Sequence, residues 1–428
     1  MRSLIHAISL DPSKCTGCTN CIKRCPTDAI RVKNGKAKII DSKCINCGTC
    51  IHICPFNAFA GITPDLDYIF HYPYRIALID PVLYSQFNES VTPPQIIESI
   101  KQFGFNDIYE VSHGADLVTN FTKTHISSTT KFPIISSSCP AIIRLIQLRF
   151  HNLISHILPI DSPIEIAAFM ARNKAIEEKK IPKEEIGIFY ISPCTARIFS
   201  FKKPIGTKNT YINGSLSIKS IFLMVSKNMS STEASNNYYP SGKGIDWSRV
   251  EGQSKALGIK EYLAIDGIEN VIEVLEEIED HKINDLIFLE CQACTNGCVG
   301  GSLTVENSFV ARNRIRRLAE NHYPYTPGNM DISAKKFVFT EPIDPLYSDK
   351  LDTDLSKAIE KLMKIEEVIR KLPQIDCGAC GSPSCRALAE DIVLGYAKEG
   401  DCMVNFKKLY SILETDPTEA ENLPTTEG

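Results

Sequence analysis

The sequence predicts an α/β central domain flanked by two small cysteine-rich modules, and three observations carry that prediction. Apolar strand patterns alternate with helix patterns from residue 76 to residue 289. One cysteine motif occurs twice within the first 60 residues, as an internal repeat. A third cysteine group, at 377–402, follows a stretch with helical apolar spacing.

A chain of 428 residues has room for two to four domains, and 43% hydrophobic with 23% charged residues is ordinary globular composition. The net charge of -4 supplies no basic stripe for phosphates, so nucleic acid is not an expected partner. Residues Met1 to Leu10 lack a secretory pattern, and no run of about 18 apolar residues occurs. A cytoplasmic protein with no membrane partner is expected. Seventeen cysteines would be unusual there as disulfides, whereas their spacings suit metal ligands.

The elements follow in order. After a connector with Tyr68, Tyr72, Pro73 and Tyr74, the run Ile76-Ala77-Leu78-Ile79 reads as a buried strand. Thr92-Pro93-Pro94 then opens a helix with Ile96, Ile97, Ile100 and Phe103 on one face, closed by Gly104. Ile134-Ile135 leads into a cysteine turn and an apolar helix through Ile143, Leu145 and Leu148. Ser162 caps a further helix, with Pro163 at its first position and Glu165 placed to reciprocate. Strands at Ile186 to Ile191 and Leu286 to Leu289 each run into more cysteines. Sites in open α/β sheets form at the carboxyl ends of strands, so three cysteine loops can converge. Residues 228–256 form a polar insertion, and 351–372 a linker helix. The acidic residues from 411 to 428 read as a disordered tail.

Cys15, Cys18, Cys21 and Cys25-Pro26 have the spacing C-x2-C-x2-C-x3-C-P, and Cys44, Cys47, Cys50 and Cys54-Pro55 repeat it. Three thiolates two residues apart wrap one face of an iron-sulfur cubane, and the fourth crosses to the other cluster. The pattern resembles a bacterial two-cluster ferredoxin. That resemblance implies a small α+β domain over residues 1–60 with two 4Fe-4S clusters. Cys15, Cys18, Cys21 and Cys54 would hold one; Cys44, Cys47, Cys50 and Cys25 would hold the other. A pair of zinc sites is the alternative, and the doubled motif speaks against it.

Four separated cysteines lie in the central region: Cys139 in Ser136-Ser137-Ser138-Cys139-Pro140, Cys194 in Ser192-Pro193-Cys194-Thr195-Ala196-Arg197, and Cys294 and Cys298 in Glu290-Cys291-Gln292-Ala293-Cys294-Thr295-Asn296-Gly297-Cys298. From the residues alone they amount to a third cubane in an α/β domain. These segments resemble the iron-only (FeFe) hydrogenases, whose motifs read Thr-Ser-Cys-Cys-Pro, Met-Pro-Cys-x-x-Lys and Glu-x-Met-Ala-Cys-x-x-Gly-Cys. The resemblance implies a hydrogenase large-subunit-like α/β domain over 76–345. It also implies an H-cluster: a 4Fe-4S unit on Cys139, Cys194, Cys294 and Cys298, bridged through Cys298 to a diiron subsite with CO, cyanide and a dithiolate amine. The implied reaction is heterolytic dihydrogen cleavage, an open iron acting as Lewis acid and the amine as base.

Departures from the family motifs are as informative. Ser138 stands where catalytic members carry a proton-relaying cysteine, and a hydroxyl is a far weaker acid than a thiol. Val118 to His125 contains none of the glutamates that carry protons in fast members. Ser192 and Gln292 replace methionines, Ser302-Leu303 replaces Gly-Gln, and Arg197 replaces the cyanide-contacting lysine. This pattern resembles the sensory branch and implies low turnover. Glu290 is the candidate relay residue, one helical turn's worth of sequence before Cys294, with a structural carboxylate as the alternative; Glu251 in the insertion is a weaker choice. Cys291, left over from the sets of four, reads as a small buried hydrophobe.

Cys377, Cys380, Cys385 and Cys402, spaced C-x2-C-x4-C-x16-C, resemble the small 4Fe-4S domain of corrinoid iron-sulfur proteins. A small helical iron-sulfur domain over 373–410 is implied. The whole then reads as a sensory FeFe hydrogenase with three 4Fe-4S clusters and an H-cluster, exchanging electrons with a redox partner protein. A kinase or phosphatase is the signalling partner that the resemblance implies. The alternatives are a catalytic ferredoxin-linked hydrogenase and a non-enzymatic electron-transfer or scaffold protein.

Overall fold

The structure is a computed structural model describing residues 6–228, 240–321, 334–347 and 351–407. The tail at 411–428 and residues 229–239 of the polar insertion lie outside the described residues. The chain divides into two compact units, one drawn from Met1–Ser9, Ile45–Gly48 and Ala60–Leu346, the other from Leu10–Cys44, Thr49–Phe59 and Tyr347–Gly428. Among the described residues, no helix is long and apolar enough to cross a membrane.

The first unit is α/β. Its strands are β1 (Tyr74–Ile79), β2 (Asp107–Glu110), β3 (Ile134–Ile135), β4 (Ile186–Ser192), β5 (Gly214–Ser217), β6 (Tyr262–Asp266) and β7 (Phe288–Gln292). They form one sheet in the order β2-β1-β4-β5 and another in the order β6-β7-β3, with all pairings parallel. Parallel sheets are covered on both faces, which is why β1 and β4 read as unbroken apolar runs. Ile76, Leu78, Ile188 and Tyr190 pack on one side, while Ala77, Ile79, Phe189 and Ile191 pack on the other.

Local capping places the helices as expected. Pro93–Lys101 starts with a Thr92/Gln95 capping box, and Ile96 and Ile100 are buried. Ser162 Oγ accepts the Glu165 N–H at 3.4 Å at the start of Pro163–Lys179. Glu165 does not reciprocate. Its buried carboxylate instead accepts Thr210 Oγ1–H at 2.5 Å and the Tyr211 N–H at 2.8 Å, because a tertiary partner is within reach.

Strand β7 begins two residues later than its apolar run and continues to Gln292. Parallel pairing with β6 carries Glu290 and Cys291 into the sheet, opposite Ala264 and Ile265. Glu290 is therefore extended backbone rather than one helical turn from Cys294. Cys291 is fully buried among Ile135, Ile142 and Leu289, as a small hydrophobe would be.

In the second unit, Ile30–Lys33 and Lys36–Ile39 form an antiparallel hairpin. The helix Leu355–Lys371, capped by the Asp354 side chain, packs with Cys385–Val393 through Ile365, Val368, Leu388 and Ala389. The buried Arg31 side chain reaches Asp391 at 2.6 Å, and the Val32 N–H donates to the Gly381 carbonyl at 2.8 Å. The hairpin and the C-terminal cysteine module are thus joined by a buried ion pair and a backbone hydrogen bond.

Candidate metal centre

Three loops leave the carboxyl ends of β3, β4 and β7, and each delivers cysteines. The four thiols stand close enough to feel one another's charge. Burial first, then the neighbouring Cys194, Cys139, Cys298 and Cys47, raises the Cys294 thiol well above its ordinary range. Cys194 is pushed up to about 12 by burial, with Cys298 and Cys139 adding to the rise. Burial also raises Cys298, against the opposing pull of Arg197. Each of the four keeps some accessible surface despite its depth, as residues lining an internal space do.

A set of buried thiols that resist deprotonation suits a cationic cluster, which stabilises the thiolates on binding. Four thiolates around one zinc would sit about 4 Å apart. Among the described residues, no three His, Cys, Asp or Glu are gathered in the manner of a single-ion site. The donor set and the loop backbone fit a cubane. Gly297 has φ +91°, and a Cβ there would fall 2.1 Å from Gln292 Oε1; a Cβ at Gly301 would fall 2.3 Å from the Pro193 carbonyl. Larger residues would push these loops apart.

Arg197, on the helix Thr195–Lys202, is only 7% exposed and donates from Nη2 to Cys298 Sγ at 3.4 Å. Beyond it lies an acid outside the cysteine motifs. Asp80, immediately after β1, accepts Tyr190 O–H through Oδ2 at 2.5 Å and the Val82 N–H through Oδ1 at 3.0 Å. Its charge acts on both Arg197 and Cys298. The available signal was an acid following directly on the apolar run Ile76 to Ile79.

Ser138 is buried in a neutral net. Gln253 Nε2 donates to its Oγ at 2.9 Å, Ser136 Oγ lies 3.1 Å away, and Ser136 donates to Gln253 Oε1 at 2.6 Å. Glu290, fully buried, accepts the N–H of Glu251 and of Ser254 at 2.9 Å, Ser254 O–H at 2.8 Å and Gln292 Nε2 at 3.2 Å. Burial pushes its carboxyl up to about 7, the hydrogen bonds from Ser254 and Glu251 opposing. Among the described residues, no hydrogen bond joins Glu290 to Ser138; adjacent Gln253 and Ser254 serve one each. Glu251, half-buried, pairs with Lys255 at 2.7 Å. Among the described residues, Gln292 Oε1 is buried with no hydrogen-bond partner, and Ser192 Oγ is occupied by Cys194 backbone.

A second buried acid lies behind the site. Glu110 accepts Tyr84 O–H, and burial, with Asp80 adding, pushes it up to about 8. The folded chain therefore holds an extra proton between an unfolded value near 4.5 and about 8. Stability is present in full below that window and falls as pH rises through it, at up to about 1.4 kcal/mol per pH unit. Glu110→Gln is expected to flatten the decline, measured by urea unfolding across the window.

In the second unit, Cys21 is pushed up to about 11 by burial, with Cys15, Cys18 and Cys54 adding charge. Cys25 and Cys54 each accept an N–H from four residues on, Ala29 at 3.2 Å and Ala58 at 3.3 Å, so the repeat persists in three dimensions. Cys380, Cys385 and Cys402 share one core, and burial raises the Cys380 thiol, with Cys377 adding to the rise.

Comparison with known proteins adds a family. The model described as iron only hydrogenase large subunit, C-terminal domain, matches residues 74–256 and 219–302, more than half of the chain. A 4Fe-4S dicluster domain matches 7–55, and an Fe-S cluster family matches 372–404. Iron hydrogenase 1 of Clostridium pasteurianum is 22% identical over 257 residues, covering 48% of this chain. The chain spans 44% of that relative's length. Among solved structures, the FeFe-hydrogenase HydA1 of Chlamydomonas reinhardtii aligns with TM-score 0.49 and 13% identity, over 64% of this chain and 95% of that one. A FeFe-hydrogenase structure concerned with oxygen inactivation of the H cluster aligns with TM-score 0.47 and 14% identity, over 64% and 91%.

Proposed function

From the premise that this chain belongs to the iron-only hydrogenase family, we propose that it is a slow, sensory hydrogenase whose central thiols carry a 4Fe-4S unit joined to a diiron subsite. The observation that carries the reading is the gathering of Cys139, Cys194, Cys294 and Cys298 with Arg197 laid against Cys298. When bound, the cluster supplies the iron at which dihydrogen is split.

The remaining chemistry belongs to side chains of this protein. Cys139, Cys194, Cys294 and Cys298 would hold the cubane, with Cys298 bridging onward. Arg197 would orient the diatomic ligands and hold positive charge beside the thiolate. Cys47, whose charge reaches Cys294, would lie on the route of electrons to the site. Ser138 would be the hydroxyl nearest the reacting proton, but Gln253 and Ser136 enclose it with groups that have no proton to give up near neutrality. Glu290, pushed up to about 7 by burial, would have the acidity of a relay; its four hydrogen bonds also fit the task of fixing Gln292 and the 251–254 turn.

The terminal cysteine sets would carry three further 4Fe-4S clusters, passing electrons to a redox partner in the cytosol. A kinase or phosphatase would then read the redox state. Maturation with a synthetic diiron complex tests the reading: carbonyl and cyanide infrared bands and slow hydrogen-deuterium exchange are expected, and a silent spectrum would favour a non-enzymatic scaffold. Ser138→Cys, restoring a thiol of pKa about 8.5, is expected to raise the exchange rate at least tenfold, since general acid-base groups contribute about 10²–10⁴. No gain would favour a catalytic hydrogenase with another proton route.

A further inference from the structure

Arg197 raises a problem of charge that its own hydrogen bond does not solve. A cation this deeply buried needs a counter-charge, and an unpaired one is costly. Its hydrogen bond goes to Cys298 Sγ, at 3.4 Å. A thiolate that donates electron density to iron has less negative charge to share, so a second anion must balance the guanidinium.

Asp80 is placed for that. In the parallel register, Leu78 and Ile79 of β1 lie beside Tyr190 and Ile191 of β4, which sets Asp80 level with the start of the loop that carries Cys194 and Arg197. Asp80 is 4% exposed, Tyr190 is fully buried, and their hydrogen bond of 2.5 Å fixes the carboxylate. Both groups lie within reach of Arg197's charge, and Asp80 also reaches Cys298. Asp80 does cap the turn at Val82, which is a purely structural task for Oδ1. Oδ2 has no part in that cap, and it is Oδ2 that Tyr190 holds.

We propose that Asp80, held by Tyr190, is a positioning residue: the counter-ion that seats Arg197 against Cys298 and limits how far the guanidinium withdraws electron density from that thiolate. The inference rests on the central site binding its cluster as proposed above. It predicts that electron density at the diiron subsite depends on a carboxylate that touches neither iron nor its ligands.

The experiment is infrared spectroscopy of full-length protein matured with a synthetic diiron complex. Asp80→Asn leaves Arg197 unbalanced, so Cys298 donates less, and the carbonyl and cyanide bands are expected at higher wavenumber than in the unaltered protein. Tyr190→Phe removes the hydrogen bond that tempers the carboxylate, and the bands are expected to move the opposite way. In an Arg197→Gln background the Asp80→Asn shift should shrink to the part that Asp80's charge exerts on Cys298 directly. A purely structural cap would move none of these bands. Should Asp80→Asn fail to accumulate as folded protein, Tyr190→Phe decides the matter by itself. Unaltered protein showing the bands while the folded variants leave them in place overturns this inference alone, as does a shift that is undiminished without Arg197. Unaltered protein showing no bands overturns the site reading, and this inference with it.

Discussion

Cys294→Ala is expected to strip the central site of metal and abolish hydrogen-deuterium exchange. Burial and neighbouring thiols raise Cys194, Cys294 and Cys298, and the charge of a bound cluster would offset that cost. With three ligands left, the cubane would lack one of its four protein thiolates, and the diiron subsite would lose the cluster to which Cys298 joins it. Four cubanes and one diiron unit amount to about 18 irons per chain, so about 12 should remain. Iron assay and the infrared spectrum check this together. The control lies three residues earlier: Cys291→Ala, in the apolar core beside Ile135 and Leu289, should keep its iron and its bands and cost only about 1 kcal/mol of stability. Cys294→Ala protein that retains its infrared bands would end the proposal for this site.

The largest effect on stability is expected at Arg31. Its guanidinium meets Asp391 through Nε at 2.6 Å and Nη2 at 3.3 Å, and Ser382 O–H also donates to that carboxylate at 3.2 Å. Both side chains are less than a tenth exposed. Arg31→Ala leaves a buried carboxylate without its cation, at a cost of about 3–5 kcal/mol, measurable by urea unfolding. Replacing both partners with apolar residues of similar volume should recover most of that loss. Lys43→Ala makes the contrast: its pair with Glu390, at 3.2 Å and more open to water, is worth at most about 1 kcal/mol.

Spacing within single loops made much of the site legible. The doubled N-terminal motif, the Ser162 and Thr92 caps and the cysteine turns after Ile135 and Ser192 depend on residues a few positions apart, and local backbone geometry enforces them. Ser138 was equally plain, since it stands inside a motif. Glu290 was legible as an acid but not as a strand residue, because its backbone is set by pairing with Tyr262–Asp266.

Asp80, Gln253 and Arg31 belong to another class. Asp80 meets Tyr190 across 110 residues, Gln253 meets Ser138 across 115, and Arg31 meets Asp391 across 360. By itself the sequence determined which thiols are available and how each short loop presents them. Only the tertiary structure decided which acid lies within reach of Arg197's charge, which amide encloses Ser138, and that the C-terminal cysteine module meets the N-terminal hairpin. The physical reason is that ligand spacing is a property of a few consecutive dihedral angles, whereas the partner of a buried charge is chosen by strand register and core packing, to which residues from the whole chain contribute.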